Sequence, residues 1–381
     1  MPPFPPARPG DPFDRIDTPA LVVDLDAMER NLTAMATFAA RAGVRLRPHA
    51  KTHKSPLIAA RQIALGAVGQ CCQKVSEAAV LIEGGVRDVL VTNQIWGTAK
   101  LDRLAALARQ AKVGVCVDEA ANVDALCAAA ERLGATIEVL VEIDVGGRRC
   151  GVDPGADAVA LARRIVASPG LTFGGLQAYF GTAQHRRTPA ERRDAIAAAG
   201  QAVRTTLEAL AGAGLVARTV GGAGTGTFRH EAASGLWNEL QTGSYVFMDA
   251  DYALNEPDPD NDAPRFEHAL FVLTGVLSAR GADRAVVDAG HKALGNDSGF
   301  PVIWRRPDLS YSRPADEHGA ILVSPGGSRP APGERLLLVP GHCDPTVNLH
   351  DWYVGVRGLG SGRDGCHVEC VWPVAARGAV L

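Results

Sequence analysis

The chain has 381 residues, with 39 Lys+Arg against 42 Asp+Glu, 46% hydrophobic residues and 21% charged residues. These are the proportions of a soluble globular protein long enough for about two or three domains. The near-neutral balance, a formal net charge of −3, argues against a dedicated nucleic-acid binder, and no run of 18 apolar residues is available to span a membrane.

The N-terminus, MPPFPPARPGDPFDR, carries seven prolines within 19 residues and lacks the continuous apolar stretch of a secretory signal. Residues 1–17 therefore read as an extended, poorly ordered lead. A cytoplasmic location is expected, with the eight cysteines (71, 72, 116, 127, 150, 343, 366, 370) reduced, since no spacing among them resembles a zinc site or a disulfide scaffold. ALVVDL (20–25) reads as a first strand. In the segment that follows, Met28, Leu32, Met35 and Ala39 share one face at helical spacing, so 18–42 forms a strand and helix.

Short apolar runs then alternate with Ala-rich helical stretches, at 44–48, 68–72, 88–93, 112–118, 137–144, 171–180, 218–224 and 242–248. Ser55-Pro56 has the form of an N-cap followed by Pro at the first helical position. Strand and helix in alternation imply βαβ units and a parallel sheet, and eight strands over 43–250 suggest a closed (β/α)8 TIM barrel. ALVVDL is then a ninth strand, one more than the barrel needs. NEPDPDNDAP (255–264) is a polar, Pro-rich linker or long loop, and the strand-rich remainder of 251–381 reads as a C-terminal antiparallel β domain.

Functional residues of such barrels gather at the C-terminal ends of the strands. That rule selects His49, Lys51, His53 and Lys54 after the 44–48 run; Arg148 and Arg149 after 137–144; Gln177, Tyr179 and His185 around the end of 171–180; and the glycine run GGAGTG (221–226). Only six of the 39 cations are lysines (51, 54, 74, 100, 112, 292), yet two of them lie in RPHAKTHK. A walled-in lysine at a strand end can have a lowered pKa and act as an amine nucleophile; the alternative is a surface ion pair. The glycine run lacks the contexts of a Walker A or a dinucleotide fingerprint, and can be a phosphate cradle or simply a tight turn. A cradle and an amine in one barrel mouth together imply pyridoxal phosphate. In the β domain, His342 and Asp344 are two apart, so in extended backbone they point the same way while Cys343 points away. Imidazole plus carboxylate suits Mn²⁺ or Mg²⁺ better than a structural zinc; a turn is the other reading. His49 and His53 read as packing around the lysine loop, Cys71 and Cys72 as strand residues, and His350 and Asp351 as outer or surface groups.

Taken in order, TPALVVDLDAMERN, RPHAKTHK, CCQKVSEA, DVGGRRCG, LQAYFGTAQH, GGAGTG, NELQTGSYVFMD, DEHG and GHCDPTVNLHDWYV resemble the D-threonine aldolase / D-serine dehydratase family, fold type III pyridoxal-phosphate enzymes related to alanine racemase. The resemblance runs from residue 18 to about 375. It implies a pyridoxal-phosphate-binding barrel with a metal-carrying β domain that the first strand joins, and a homodimer. It puts the Schiff-base lysine on Lys51, the arginine beside the cofactor's phenolic oxygen on Arg149, the ring-side aromatic on Tyr179, and the phosphate loop on Gly224, Thr225 and Gly226, assisted by Gly243, Ser244 and Tyr245. Gln241 falls where alanine racemases carry an arginine against the pyridine nitrogen, His185 where the aldolases place a base for the substrate hydroxyl, and Asp316 is a candidate to approach the site from the β domain. Aldolase-like members carry His-x-Asp and dehydratase-like members His-x-Cys; His342 and Asp344 favour the aldolase. The implied substrate is a small D-3-hydroxy amino acid, D-threonine or 3-hydroxyaspartate, cleaved to glycine and an aldehyde. The implied metal is Mn²⁺ foremost, with Mg²⁺, Co²⁺ or Zn²⁺ as alternatives. Dehydration of D-serine or D-threo-3-hydroxyaspartate to a keto acid and ammonia is the competing activity, and a non-catalytic cofactor-carrying barrel the third reading, against which the long β domain weighs.

Overall fold

The computed structural model describes residues 4–258, 263–281, 283–362 and 365–381. Strand β1 (Ala20–Asp24) leads into helix α1 (Leu25–Ala42). Asp24 caps that helix, its carboxylate accepting from the amides of Asp26 and Ala27, and Gly43 ends it in the left-handed conformation (φ 66°) that glycine adopts without strain. Met28, Leu32, Met35 and Ala39 are all buried along one face, as their spacing requires. Each such Met or Leu contributes roughly 1.5–3 kcal/mol on leaving water.

Eight parallel strands follow: β2 (Arg45–Leu46), β3 (Gln70–Cys72), β4 (Asp88–Val91), β5 (Lys112–Val117), β6 (Ile137–Glu142), β7 (Leu171–Ala178), β8 (Thr219–Gly222) and β9 (Glu239–Leu240). They alternate with α2 (Pro56–Ala64), α3 (Val75–Glu83), α4 (Thr98–Ala108), α5 (Ala120–Leu133), α6 (Ala156–Ala167), α7 (Pro189–Gly212) and α8 (Phe228–Ala233). The sheet order runs β2, β9, β8 and on down to β3. The barrel closes between β2 and β3 through the bridge His49–Cys71 and the bonds Val68 N to Leu46 O (2.9 Å) and Cys71 N to Pro48 O (2.8 Å). One set of strand residues, including Val89, Val115 and Val139, packs under the helices. The alternating set, Cys71, Leu90, Cys116 and Leu140, forms a separate cluster inside the barrel.

The last barrel strand is not the expected 242–248 run. Glu239–Leu240 pairs with β2 and β8 instead, and Ser244–Val246 forms a single 3-10 turn. Tyr245, Val246 and Phe247 are apolar because they are buried beside α1 and the second sheet, not because they are extended.

The second domain comprises α9 (Ala250–Ala253), β10 (Leu270–Ser278), β11 (Arg284–Val287), β12 (Val302–Ile303), β13 (Leu309–Ser312), β14 (Gly319–Val323), β15 (Arg335–Val339), α10 (Cys343–Leu349), β16 (Trp352–Arg357) and β17 (His367–Pro373). Its own strands pair antiparallel. β1 lies between β10, to which it is antiparallel, and β16, to which it is parallel. One hydrophobic cluster, with Met28, Phe247, Leu270 and Tyr353 among its members, is shared by α1, the end of the barrel and this sheet.

The lead is better ordered than its prolines suggest. Phe13 and Ile16 are buried, and Gly10 N and Pro12 pair with β17. Its two apolar side chains anchor it, while residues 1–3 lie outside the described residues. Part of the 255–264 linker, residues 259–262, also lies outside them. Among the described residues no helix is long and apolar enough to cross a membrane.

Candidate active site

The loop after β2 is fixed on both sides. His49 N donates to Thr242 O (3.0 Å), Ala50 N to Cys71 O (2.7 Å) and Lys54 N to Ala50 O (2.7 Å). This turn holds Lys51 at the barrel mouth. A cavity with about 430 Å³ of empty space opens there, walled by Lys51, Arg149, Tyr179, Gly224, Thr225, Gln241, Gly243 and Ser244 among others. Gly224 and Gly243 are glycine for want of space. A Cβ on Gly224 would stand 2.4 Å from Gln184 Oε1, and one on Gly243 2.8 Å from Thr52 Oγ1. Gly224, Thr225, Gly243 and Ser244 all line the cavity. At its floor, the buried amides of Gln177 and Gln241 bond each other reciprocally, at 2.8 and 3.0 Å. Arg149 lies over the Tyr179 ring, 5.6 Å from its centroid.

Lys51 Nζ is paired with the Asp344 carboxylate. Burial disfavours the Lys51 ammonium, but Asp344 outweighs it and holds the pKa above the usual lysine value. The lowered value expected of a walled-in amine therefore does not occur in this arrangement. Burial alone would raise Asp344; Lys51 and His342 instead hold it well below the ordinary carboxylate range.

His342 and Asp344 do converge, with Nε2 and Oδ2 3.8 Å apart. They do so by a route other than an extended strand. His342 is the last extended residue and Cys343–Asp344 begin α10. Cys343 still turns away: it is fully buried, its Sγ facing Met248 O at 3.4 Å. Among the described residues Asp344 Oδ1 is buried with only the Thr52 hydroxyl beside the carboxylate, and His342 Nδ1 is 2.6 Å from Asp297 Oδ2. A carboxylate on one ring nitrogen, with the other nitrogen facing an acid, is the arrangement that orients a metal-binding histidine. Among the described residues no set of three His, Cys, Asp or Glu forms a complete ligand shell, so two protein ligands would leave positions for water and substrate. The residues fit both groups: Lys51 and the glycine-lined walls fit pyridoxal phosphate, and His342 with Asp344 fits a hard-to-borderline divalent cation.

A second, more open cavity adjoins the first, sharing Arg149 and Tyr179 and reaching His185. Three expected residues are placed differently. Asp316 sits in an exposed turn and lines neither cavity, because the 313–318 segment folds back on Gly290–Lys292. Tyr245 turns its ring into the core, where its hydroxyl accepts from Gln62 (3.0 Å); only its amide, bonded to Thr225 Oγ1 (3.0 Å), supports the loop. Gly226 donates its amide to Gln184 Oε1 (3.1 Å) and does not line the main cavity.

Other cavity residues escaped the sequence reading. His49, read as packing, lines the cavity with Gln73 and Thr92, and its Nε2 is 3.0 Å from Thr92 Oγ1. Burial, then Lys51, pushes its pKa well below the ordinary histidine value, so it presents a flat neutral ring. Gln73 and Thr92 follow β3 and β4, so the strand-end rule could have found them. Asp297 comes from a distant loop and had no signal.

Two family models match the chain: "Alanine racemase, N-terminal domain" over residues 23–251 and "Putative serine dehydratase domain" over 269–356. Over 374 residues, 98% of this chain and 96% of the relative, it is 48% identical to a D-threonine aldolase of Arthrobacter sp. The chain belongs to the D-threonine aldolase family. A 3-hydroxy-D-aspartate aldolase of Paracoccus denitrificans is 46% identical, covering 98% of this chain and 95% of the relative. The crystal structure of D-threonine aldolase from Filomicrobium marinum superposes with a TM-score of 0.95 at 52% identity, covering 99% of this chain and 100% of that one. Membership in this family makes the fold alanine racemase-like, fold type III, with pyridoxal phosphate as the cofactor.

Proposed function

We propose that this chain cleaves small D-3-hydroxy amino acids of the D-threonine type, by a retro-aldol reaction, to glycine and an aldehyde. The carrying observation is the meeting of His342, Asp344 and Lys51 at one barrel mouth, with Cys343 turned away. When bound, pyridoxal phosphate at Lys51 supplies a sink for the electrons left on Cα, and a divalent cation at His342 and Asp344 supplies a Lewis acid for the β-hydroxyl.

The chain's own groups do the rest. Gly224, Thr225, Gly243 and Ser244, which line the cavity, would hold the anionic phosphate through their amides and hydroxyls. Arg149 brings a positive charge beside Tyr179, anchored by Glu142 at 3.9 Å. Gln177 and Gln241 put neutral amides at the floor, where a cation would favour fuller charge build-up and racemisation. His185 accepts the β-hydroxyl proton; as that O–H bond breaks, the Cα–Cβ bond opens and the aldehyde carbonyl forms. A proton delivered to Cα completes glycine. Mn²⁺ is the proposed ion, on the donor set. A homodimer in the cytoplasm belongs to the same reading.

The test is a product assay on D-threonine and D-3-hydroxyaspartate with added pyridoxal phosphate, with and without Mn²⁺. Glycine plus acetaldehyde or glyoxylate is expected. Chelation, or His342→Ala, should lower kcat about 10²-fold or more, since Lewis-acid stabilisation supplies several kcal/mol. A keto acid with ammonia overturns the cleavage, and turnover indifferent to chelator overturns the metal.

A further inference from the structure

Asp251, in α9, is a buried carboxylate that the reaction outlined above does not use. Its two oxygens are divided between two residues of the loop after β7. Oδ2 meets His185 Nδ1, and Oδ1 meets Arg187 Nη2. Arg187 Nη1 also donates to the Asp251 carbonyl (2.8 Å) and to Asn255 Oδ1 (2.9 Å). On its other side, the amide of Asp251 donates to Gly341 O (3.3 Å) and that of Ala250 to Pro340 O (2.9 Å), the residues immediately before His342. One side chain and its backbone therefore join the loop that carries His185 to the segment that carries the metal pair.

We infer that Asp251 is a positioning residue that fixes the tautomer and orientation of His185 and sets its place relative to His342. This rests on the reading of His185 as the base. With Nδ1–H donated to the carboxylate, Nε2 is the nitrogen with a lone pair to accept a proton. The His185 ring is held from one side by Tyr252, with ring centroids 5.3 Å apart, and its other surroundings are the open cavity. In the step itself, the hydroxyl O–H bond breaks and an N–H bond forms at Nε2. The ring then carries two protons and a positive charge, which the ionised Asp251 stabilises without taking a proton. Arg187 shares the charge of that carboxylate, so the carboxylate's hold on the ring is graded. The charged and titratable groups facing His185 are Asp251 and Tyr252 from α9, Arg187 in its own loop, and Glu142, Asp144, Arg149, Cys150 and Tyr179 across the cavity. None of these is altered by the substitutions below except the two named.

The experiment compares Asp251→Asn, Arg187→Met, His185→Gln and the double variant Asp251→Asn/His185→Gln as cofactor- and Mn²⁺-loaded enzymes, reading kcat, KM and the pH profile of kcat. His185→Gln and Asp251→Asn should each lower kcat about 10²-fold with little change in KM, and the double variant should fall no further than His185→Gln alone, because the two act as a unit. The base is active when neutral, so activity falls as pH drops through its acid limb. Removing the carboxylate in Asp251→Asn should move that limb to lower pH, and removing the cation in Arg187→Met should move it to higher pH. A part that only braces the fold would not give opposite shifts. If His185→Gln keeps wild-type kcat, the reading of His185 as base is wrong. If His185→Gln is crippled but Asp251→Asn keeps wild-type kcat and profile, or the two losses multiply, the base stands and the role of Asp251 falls. If Asp251→Asn does not fold, Arg187→Met decides: an unmoved acid limb overturns the inference.

Discussion

Lys51→Ala is expected to lower kcat by about 10⁴-fold or more, the scale on which losing a covalent catalytic group is felt, and to remove the visible absorbance of covalently held pyridoxal phosphate. The side chain is the amine at the cavity wall and its ammonium is paired with Asp344, so truncation removes two things at once. Lys51→Arg separates them. It restores a cation for Asp344 but offers no amine for covalent attachment, so equal losses in both variants assign the effect to the amine. Recovery in Lys51→Arg would assign it to the ion pair instead. Retention of more than about a tenth of wild-type turnover in Lys51→Ala, well short of the loss expected for a covalent group, would remove the lysine from the chemistry. Spectra of the purified variants, taken beside steady-state rates, make the check.

The second large effect concerns stability. Arg47, nearly fully buried, lies where the first and last barrel strands meet; its Nε is 2.9 Å from Glu239 Oε1 and its Nη1 is 2.6 Å from Asp88 Oδ1. Burial works against this guanidinium, but the two carboxylates more than offset it, so the charge is retained. Arg47→Met leaves the Glu239 carboxylate, 1% exposed, with only Arg45 at 3.2 Å. Stranding a buried charge costs about 3–5 kcal/mol, and that loss is expected in denaturant titrations of the apoprotein. Arg47→Met with Glu239→Leu should recover much of it, because the buried Glu239 carboxylate is then gone and the less buried Asp88 keeps Lys112 at 3.4 Å. A single-variant loss under about 1 kcal/mol, the level of an exposed pair, would show that the barrel seam does not depend on this network.

Residues whose role is set by local pattern were legible in the sequence; those placed by tertiary contact were not. Lys51, Arg149 and Tyr179 sit at strand ends because chain alternation alone locates those ends, and the structure brings all three to one cavity. His342 and Asp344 were found by a two-residue spacing, although the backbone that unites them is the start of a helix. The 242–248 run misled because β-branched and aromatic residues report burial as readily as strand. Tyr245 and Phe247 are buried in the core while the true strand, Glu239–Leu240, carries a charged residue committed to Arg47. Asp297 and Asp251 could not be read at all. Each matters through a partner remote in sequence, His342 and His185 respectively, and no local pattern encodes such a pairing. Asp316 shows the converse: the DEHG motif made it a candidate, and in this chain it is exposed and lines neither cavity.

The seating of β1 between β10 and β16 has a temporal side. Val22 is in register with Phe271 on one flank and Val354 on the other, so the strand made almost first gains one neighbour about 250 residues later and is completed only by a segment made more than three hundred residues later. At 5–20 residues per second, completion takes roughly a quarter of a minute to a minute on the ribosome, during which an apolar strand has at least one edge bare. The barrel can form meanwhile from its own neighbours in sequence. β16, which completes the seating of β1, directly follows the helix whose start carries His342 and Asp344. A nascent chain stalled before β16 would leave one edge of β1 unpaired and open to pairing with that of another chain.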